Sequence, residues 1–176
     1  MFFDPSDPEG GVTSSRSGEE RFAQPEAGKE PMTAQQMWRA YHGSDEGRYD
    51  AWQFGDDPDT LAALVLSGKK TATASAYPVY EIEAEPLPEA GQYSVILNSR
   101  DEAVCVIRTT KVYVTPFSDV GEEHAFREGE GDRSLAWWRQ VHRDFFTKEL
   151  AQAGLTFTEQ MPVVCEEFEI VYKREP

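Results

Sequence analysis

Two residue types that can share a proton, Lys70 and Thr73, stand three positions apart in the segment LSGKKTATASAY, Leu66 to Tyr77. A desolvated lysine can act as a general base, and a threonine hydroxyl within its reach can then attack an acyl carbon. Such a pair needs a carboxylate to orient the substrate or carry the proton. In an uninterrupted strand this spacing sends the two side chains to opposite faces, so they meet only if the backbone is still leaving a helix at Lys70. Gly68 makes that turn feasible. A plainer role competes: lysines just after a helix end complement the negative end of its dipole, which accounts for Lys69 as well as Lys70.

The elements that must position these residues are partly legible. Thr33, with Gln36 three residues on, predicts a capped helix that ends at His42 and Gly43. Asp57 as N-cap and Pro58 at the first helical position, with Leu61, Leu64 and Val65 at helical spacing, predict a second helix closed by Gly68. Strand signals follow in TATASAY, QYSVILN, EAVCVIRTTKVYVTPF and PVVCEEFEIVYK, and Ser99-Arg100-Asp101 reads as a hairpin turn. The segment SDVGEEHAFREGEGD is a loop or short helix. After it, Leu135, Trp138, Val141, His142, Phe145 and Leu150 mark one face of a long helix ended by Gly154. Antiparallel strands with inserted helices predict an α+β domain built on a small barrel or strongly curved sheet. A parallel doubly wound sheet is disfavoured, because strands and helices do not alternate and no glycine-rich phosphate loop is present.

The chain of 176 residues fits one domain, over 32–176, preceded by a tail. Residues 1–31 are rich in Pro, Gly, Ser and Glu and poor in branched aliphatics, which predicts a flexible, disordered tail. A formal charge of -15 weighs against a protein that grips duplex DNA, though a local cluster such as Lys69 and Lys70 can still form a positive pocket. Cys105 and Cys165 each sit among strand-like apolar residues and read as buried free thiols, with no zinc spacing. With no basic leader and no long apolar run, a cytoplasmic protein without a membrane segment is expected.

Taken together, FGDDPDTLAALVLSGKKTATASAY, YSVILNSRDEAVCVIRTTKVYV and EEHAFREGEGDRSLAWWRQVHRDFF resemble the ASCH domain family, whose fold is related to the PUA barrel of RNA-modifying proteins. The resemblance covers about residues 49–173. Its most specific parts are G-x-K-x-x-T, met by Gly68, Lys70 and Thr73, and E-H-A…E-G, met by Glu123, His124, Ala125, Glu128 and Gly129. It implies a small PUA-like β-barrel with inserted and flanking helices. It also implies one of two activities. Small members are amidohydrolases acting on N4-acetylcytidine through a lysine, a threonine and a glutamate, which carry over to Lys70, Thr73 and Glu128. Larger members, closer to this chain in length and in the tryptophan-rich helix, include a metal-dependent ribonuclease acting on single-stranded RNA. Others are RNA-binding modules. The small amidohydrolases carry an arginine two residues after the threonine, where this chain has Ser75, so the pocket differs there.

The expectation from residues and resemblance together is a domain acting on RNA or a modified nucleoside, as a ribonuclease-like hydrolase first and an amidohydrolase second. A non-catalytic nucleotide-binding module is the alternative of another class. Lys70, Thr73 and Glu128 form the expected catalytic set; Lys69, Ser75 and Trp52 are expected at the substrate, Trp52 as a stacking platform and Phe54 as packing. The ribonuclease version leaves room for a divalent ion, Mn2+ or Mg2+, near Glu128, with no ligand set identified. His124 reads as hydrogen-bonded rather than as a metal ligand, Trp138 and His142 as core. Arg127, Arg133, Arg139 and Arg143 are either a local basic rim or partners of carboxylates.

Overall fold

The computed structural model describes residues 30–174; the tail expected over 1–31 lies outside them except for its last two residues. Helix α1 (Ala34–His42) opens with the predicted capping box, in which Thr33 and Gln36 satisfy each other's backbone amides, and ends at Gly43 in the left-handed region. Strand β1 (Asp50–Gln53) comes next, followed by α2 (Pro58–Leu66), where the Asp57 side chain accepts from Thr60 N. The chain continues through β2 (Ala72–Ala76), α3 (Tyr77–Glu83), β3 (Tyr93–Leu97) and β4 (Ala103–Pro116). After a short 3-10 turn come α4 (Glu122–Glu128), α5 (Leu135–Gln152) and β5 (Pro162–Lys173).

The strands form one sheet in the order β1-β3-β4-β5-β2. Three of its four ladders are antiparallel, as expected, but β1 pairs with β3 in parallel. This strand was not predicted. DAWQ is only four residues long and mostly exposed, so it has no alternating apolar signature and exists because β3 offers it a free edge. The predicted strand TATASAY is two residues shorter, starting at Ala72 rather than Thr71 and ending at Ala76 because Tyr77 starts α3 with Pro78 in its first turn. Register shifts between β4 and β5, at Val106/Ile107 and Thr109/Lys111, mark bulges in the two longest strands, and bulges increase twist and bend a sheet. The result is the predicted α+β architecture, a half-barrel with helices on its faces. It stays open between its edge strands β1 and β2.

Alternation along the strands divides the core. Ile96, Cys105 and Ile107 pack with Phe54 and with Ala62 and Val65 of α2, while Val95 and Val106 face the other way onto Met37 and Trp38 of α1. Ala76, Val163 and Cys165 pack under Trp138, Phe146 and Leu150 of α5. Both cysteines are free and buried, and burial pushes both thiols up to about 12, so they are inert apolar fillers as expected. No helix among the described residues is long and apolar enough to cross a membrane.

Candidate functional site

The turn after α2 decides where Lys70 goes. Gly68 takes φ +75°, and the amides of Lys69 and Lys70 both return to Leu64 O, so the chain reverses before β2 begins at Ala72. Lys69 is left exposed on the outside and lines no cavity at the site, which separates it from the substrate-binding role expected for it. Lys70 turns inward and is 2% exposed.

Helix α4 docks against this turn. Thr71 N donates to Arg127 O at 2.7 Å, and Gly129, at φ +74°, lies so close that a β-carbon there would stand 2.3 Å from Lys69 O. Only glycine permits that approach, and the approach brings Glu128 to Lys70. Lys70 Nζ donates to Glu128 Oε2 at 3.0 Å and to Glu130 Oε1 at 2.8 Å. The ammonium also lies 5.2 Å from the centre of the Phe54 ring.

Glu128 is fully buried and surrounded by donors. Its Oε1 accepts from Trp138 Nε1 at 2.8 Å and from His124 Nε2 at 3.0 Å; its Oε2 faces Lys70 and, at 3.5 Å, His142 Nε2. His142 donates its Nδ1 proton to Trp138 O and stacks on the Trp138 ring at 4.2 Å. Burial works against every charge in this group, yet mutual attraction prevails. Despite that burial, Lys70 and His142 hold the Glu128 carboxyl well below the usual carboxylate range. Burial likewise opposes the charge on Lys70 and His142, and the carboxylates nevertheless hold both above their ordinary values. Lys70 is therefore an ammonium at rest, not the neutral base of the sequence reading.

A cavity of 100 Å3 brings Lys70, Thr73, Glu128 and Glu130 together with His142 and Phe145. Lys70 precedes the strand and Thr73 lies on it, and both line one space. Thr73 Oγ1 has no hydrogen-bond partner among the described residues. Phe54, Gly55, Thr73, Ala74 and Phe145 also line a second cavity of 610 Å3, which fills the opening between β1 and β2. One lip is the whole run Asp50–Gly55, the other Thr73 to Ser75, and Ser94, Thr109 and Glu166 contribute from the sheet. Trp52 lines this cavity with its ring edge-on to Phe54 at 4.7 Å, and Ser75 lines it while bonded to Tyr80 Oη at 2.9 Å. Phe54 is core, as expected, though it also touches both cavities.

The structure adds residues the sequence reading missed. Glu130 has a faint signal, a second Glu-Gly pair directly after the first in EGEG. Glu166 also has one, an acid inside the apolar strand VVCEEFEI. Glu149 and Tyr80 have none, because their positions depend on how α5 and α3 close over the sheet. The arginines resolve as structural partners: Arg127 pairs with Glu123 and Glu167, and Arg143 with Glu159, while Arg139 caps Ser118 O and Arg133 donates to Phe126 O. For a divalent ion, the carboxylate nearest the expected place, Glu128, spends both oxygens on nitrogen donors. Among the described residues no group of three or more His, Cys, Asp or Glu is arranged to hold a metal.

The model of the ASCH domain matches residues 50–172. Among solved structures, the ASCH domain from Lactobacillus crispatus JV V101 is 33% identical and superposes with a TM-score of 0.73, covering 79% of this chain and 94% of that one. A protein from Enterococcus faecalis V583 is 40% identical with a TM-score of 0.69, covering 76% of this chain and 82% of that one. No curated protein matches the chain significantly.

Proposed function

The chain belongs to the ASCH domain family, and we propose that it hydrolyses an acyl group bound to nitrogen on a nucleoside-sized substrate, free or within RNA. The observation that carries this reading is the convergence of the buried Lys70 ammonium and the unpartnered Thr73 hydroxyl, with Glu130, on one small cavity that opens into a large one. A phosphodiester fits less well. Lys70 is already neutralised by two carboxylates, Lys69 is outside, and the large cavity carries Asp50, Glu85, Glu149 and Glu166.

The roles follow from the geometry. Glu128, with its oxygens taken, holds Lys70 in place and charged. Glu130, its side chain 15% exposed and lining the same cavity, serves as the base. Thr73 Oγ attacks the acyl carbon as its proton passes to Glu130, and Lys70 stabilises the oxyanion and then protonates the leaving nitrogen as the carbon–nitrogen bond breaks. The 2.8 Å contact between Lys70 and Glu130 gives the proton a direct way back. Water then cleaves the Thr73 ester, releasing the carboxylic acid and restoring the hydroxyl.

The test is turnover of the purified protein on N4-acetylcytidine and, separately, on short single-stranded RNA, each with and without Mn2+ or Mg2+. Deacylation that needs no added metal is the expected result. Cleaved RNA without deacylation would overturn the proposal in favour of the ribonuclease. A second reading, a non-catalytic nucleoside-binding module, is favoured by the complete pairing of Lys70 at rest, and binding without any product would decide for it.

A further inference from the structure

Lys70, Thr73, Glu128 and Glu130 carry the chemistry and leave the acidic wall of the 610 Å3 cavity without a task. Glu166 stands there, 9% exposed, in register across the β2–β5 ladder from Thr73, so the two residues share one end of the cavity floor. Thr109 Oγ1 donates to one of its oxygens. No Lys, Arg or His among the described residues comes within ion-pair distance of it, and its charged neighbour is another acid, Asp50. Glu149 lines the same cavity; its Oε2 is buried with no partner among the described residues, and its charged neighbour is Glu83. Burial and these acidic neighbours push both carboxyls up.

A buried carboxyl is ordinarily paired with a cation and satisfied by donors; Glu166 has one donor and no cation, and the half-buried Glu149 leaves Oε2 without a partner among the described residues, so this wall of the cavity places that demand on a ligand. Trp52 and Tyr80 supply flat aromatic surface beside them, which suits a planar and positively polarised ring. Asp50 and Glu85 repel anions from the same space.

We propose that this cavity seats the nitrogen-donor edge of a planar amidinium-like group, with Glu166 as the anchoring acceptor and Glu149 as a second one, and that it rejects anionic groups of the same shape. The proposal rests on the hydrolase reading for the reason such a group is presented to Thr73. It deepens that reading by assigning the part of the substrate beside the scissile bond: a base offering N–H donors, without a phosphate in this cavity.

Three isosteres test it on the unmodified protein: benzamidine, benzamide and benzoate, which are cationic, neutral and anionic, titrated by calorimetry at neutral pH. The expected order is benzamidine tightest and benzoate weakest, with about a 10-fold or larger step from benzamidine to benzamide, the size of one hydrogen bond to a charged group. Glu166→Gln keeps the shape and should erase most of that step; Glu149→Gln should reduce it less. Equal binding of benzoate and benzamidine, an unchanged order in Glu166→Gln, or no binding of any probe at millimolar concentration would overturn the proposal. The wild-type order needs no variant, so a poorly folded Glu166→Gln does not remove the test. Failure here and failure of the hydrolase reading are separable. A flat isostere order with intact deacylation sinks only the anchoring wall, and a steep order without deacylation sinks only the chemistry.

Discussion

Lys70 Nζ lies 3.0 Å from Glu128 Oε2, and each side chain is 1% exposed. Fifty-eight positions apart in the chain, they meet because Gly129 lets the end of α4 touch the turn before β2. This relationship changes what a lysine substitution reports. Lys70→Ala removes more than a proton carrier, because it strands the carboxylates of Glu128 and Glu130.

Lys70→Met and Glu128→Leu are each expected to destabilise the protein by about 3–5 kcal/mol, the usual consequence of leaving one buried charge unpaired. Urea unfolding curves measure this. The double variant should recover part of the loss, since the remaining apolar side chains no longer face an uncompensated charge. A double variant as unstable as the sum of the singles would show that the pair is not coupled.

Thr73→Ala is predicted to abolish deacylation at nearly unchanged melting temperature, because the hydroxyl bonds to nothing among the described residues and its loss leaves no partner unsatisfied. Glu130→Gln should lower kcat by about 10²–10⁴, the ordinary contribution of a positioned base. If Glu130→Gln turns over at the wild-type rate, the base lies elsewhere.

Stability should depend on pH in opposite senses for two buried glutamates. Glu128, depressed on folding, contributes stability present above its unfolded value of about 4.3 and lost as pH falls through its folded value. Glu166, raised on folding, contributes stability present below about 4.3 and lost as pH rises through its folded value. Thermal melts of Glu166→Gln between about pH 4 and 7 should therefore lose less stability with rising pH than the wild type does. Parallel curves would remove Glu166 from the account.

Gly129→Ala should cost well over about 1 kcal/mol, because φ is positive there and the added carbon meets the Lys69 carbonyl. Calorimetric melting gives the size. Deacylation should fall with it, as the variant pushes α4 away from Lys70. Gly43→Ala, also at positive φ but with open space around it, should cost less and leave deacylation unchanged.

Local physics made much of this protein readable in one dimension. The capping box at Thr33, the Asp57-Pro58 start and the apolar spacing of the long helix are short-range rules, and the structure follows each of them. The family pattern rests on such local segments too, and it selected Lys70, Thr73 and Glu128 before any geometry was available. Tertiary structure decided what no short window contains. β1 exists only as the parallel neighbour of β3, and Trp138 and His142, read as packing, turn their nitrogens to a carboxylate on another helix. The charge state of Lys70 was decided there as well, since desolvation and the two carboxylates compete only once α4 and the β2 turn are in contact. Sequence determines which side chains can carry charge. Which of them keeps it depends on the neighbours the fold supplies.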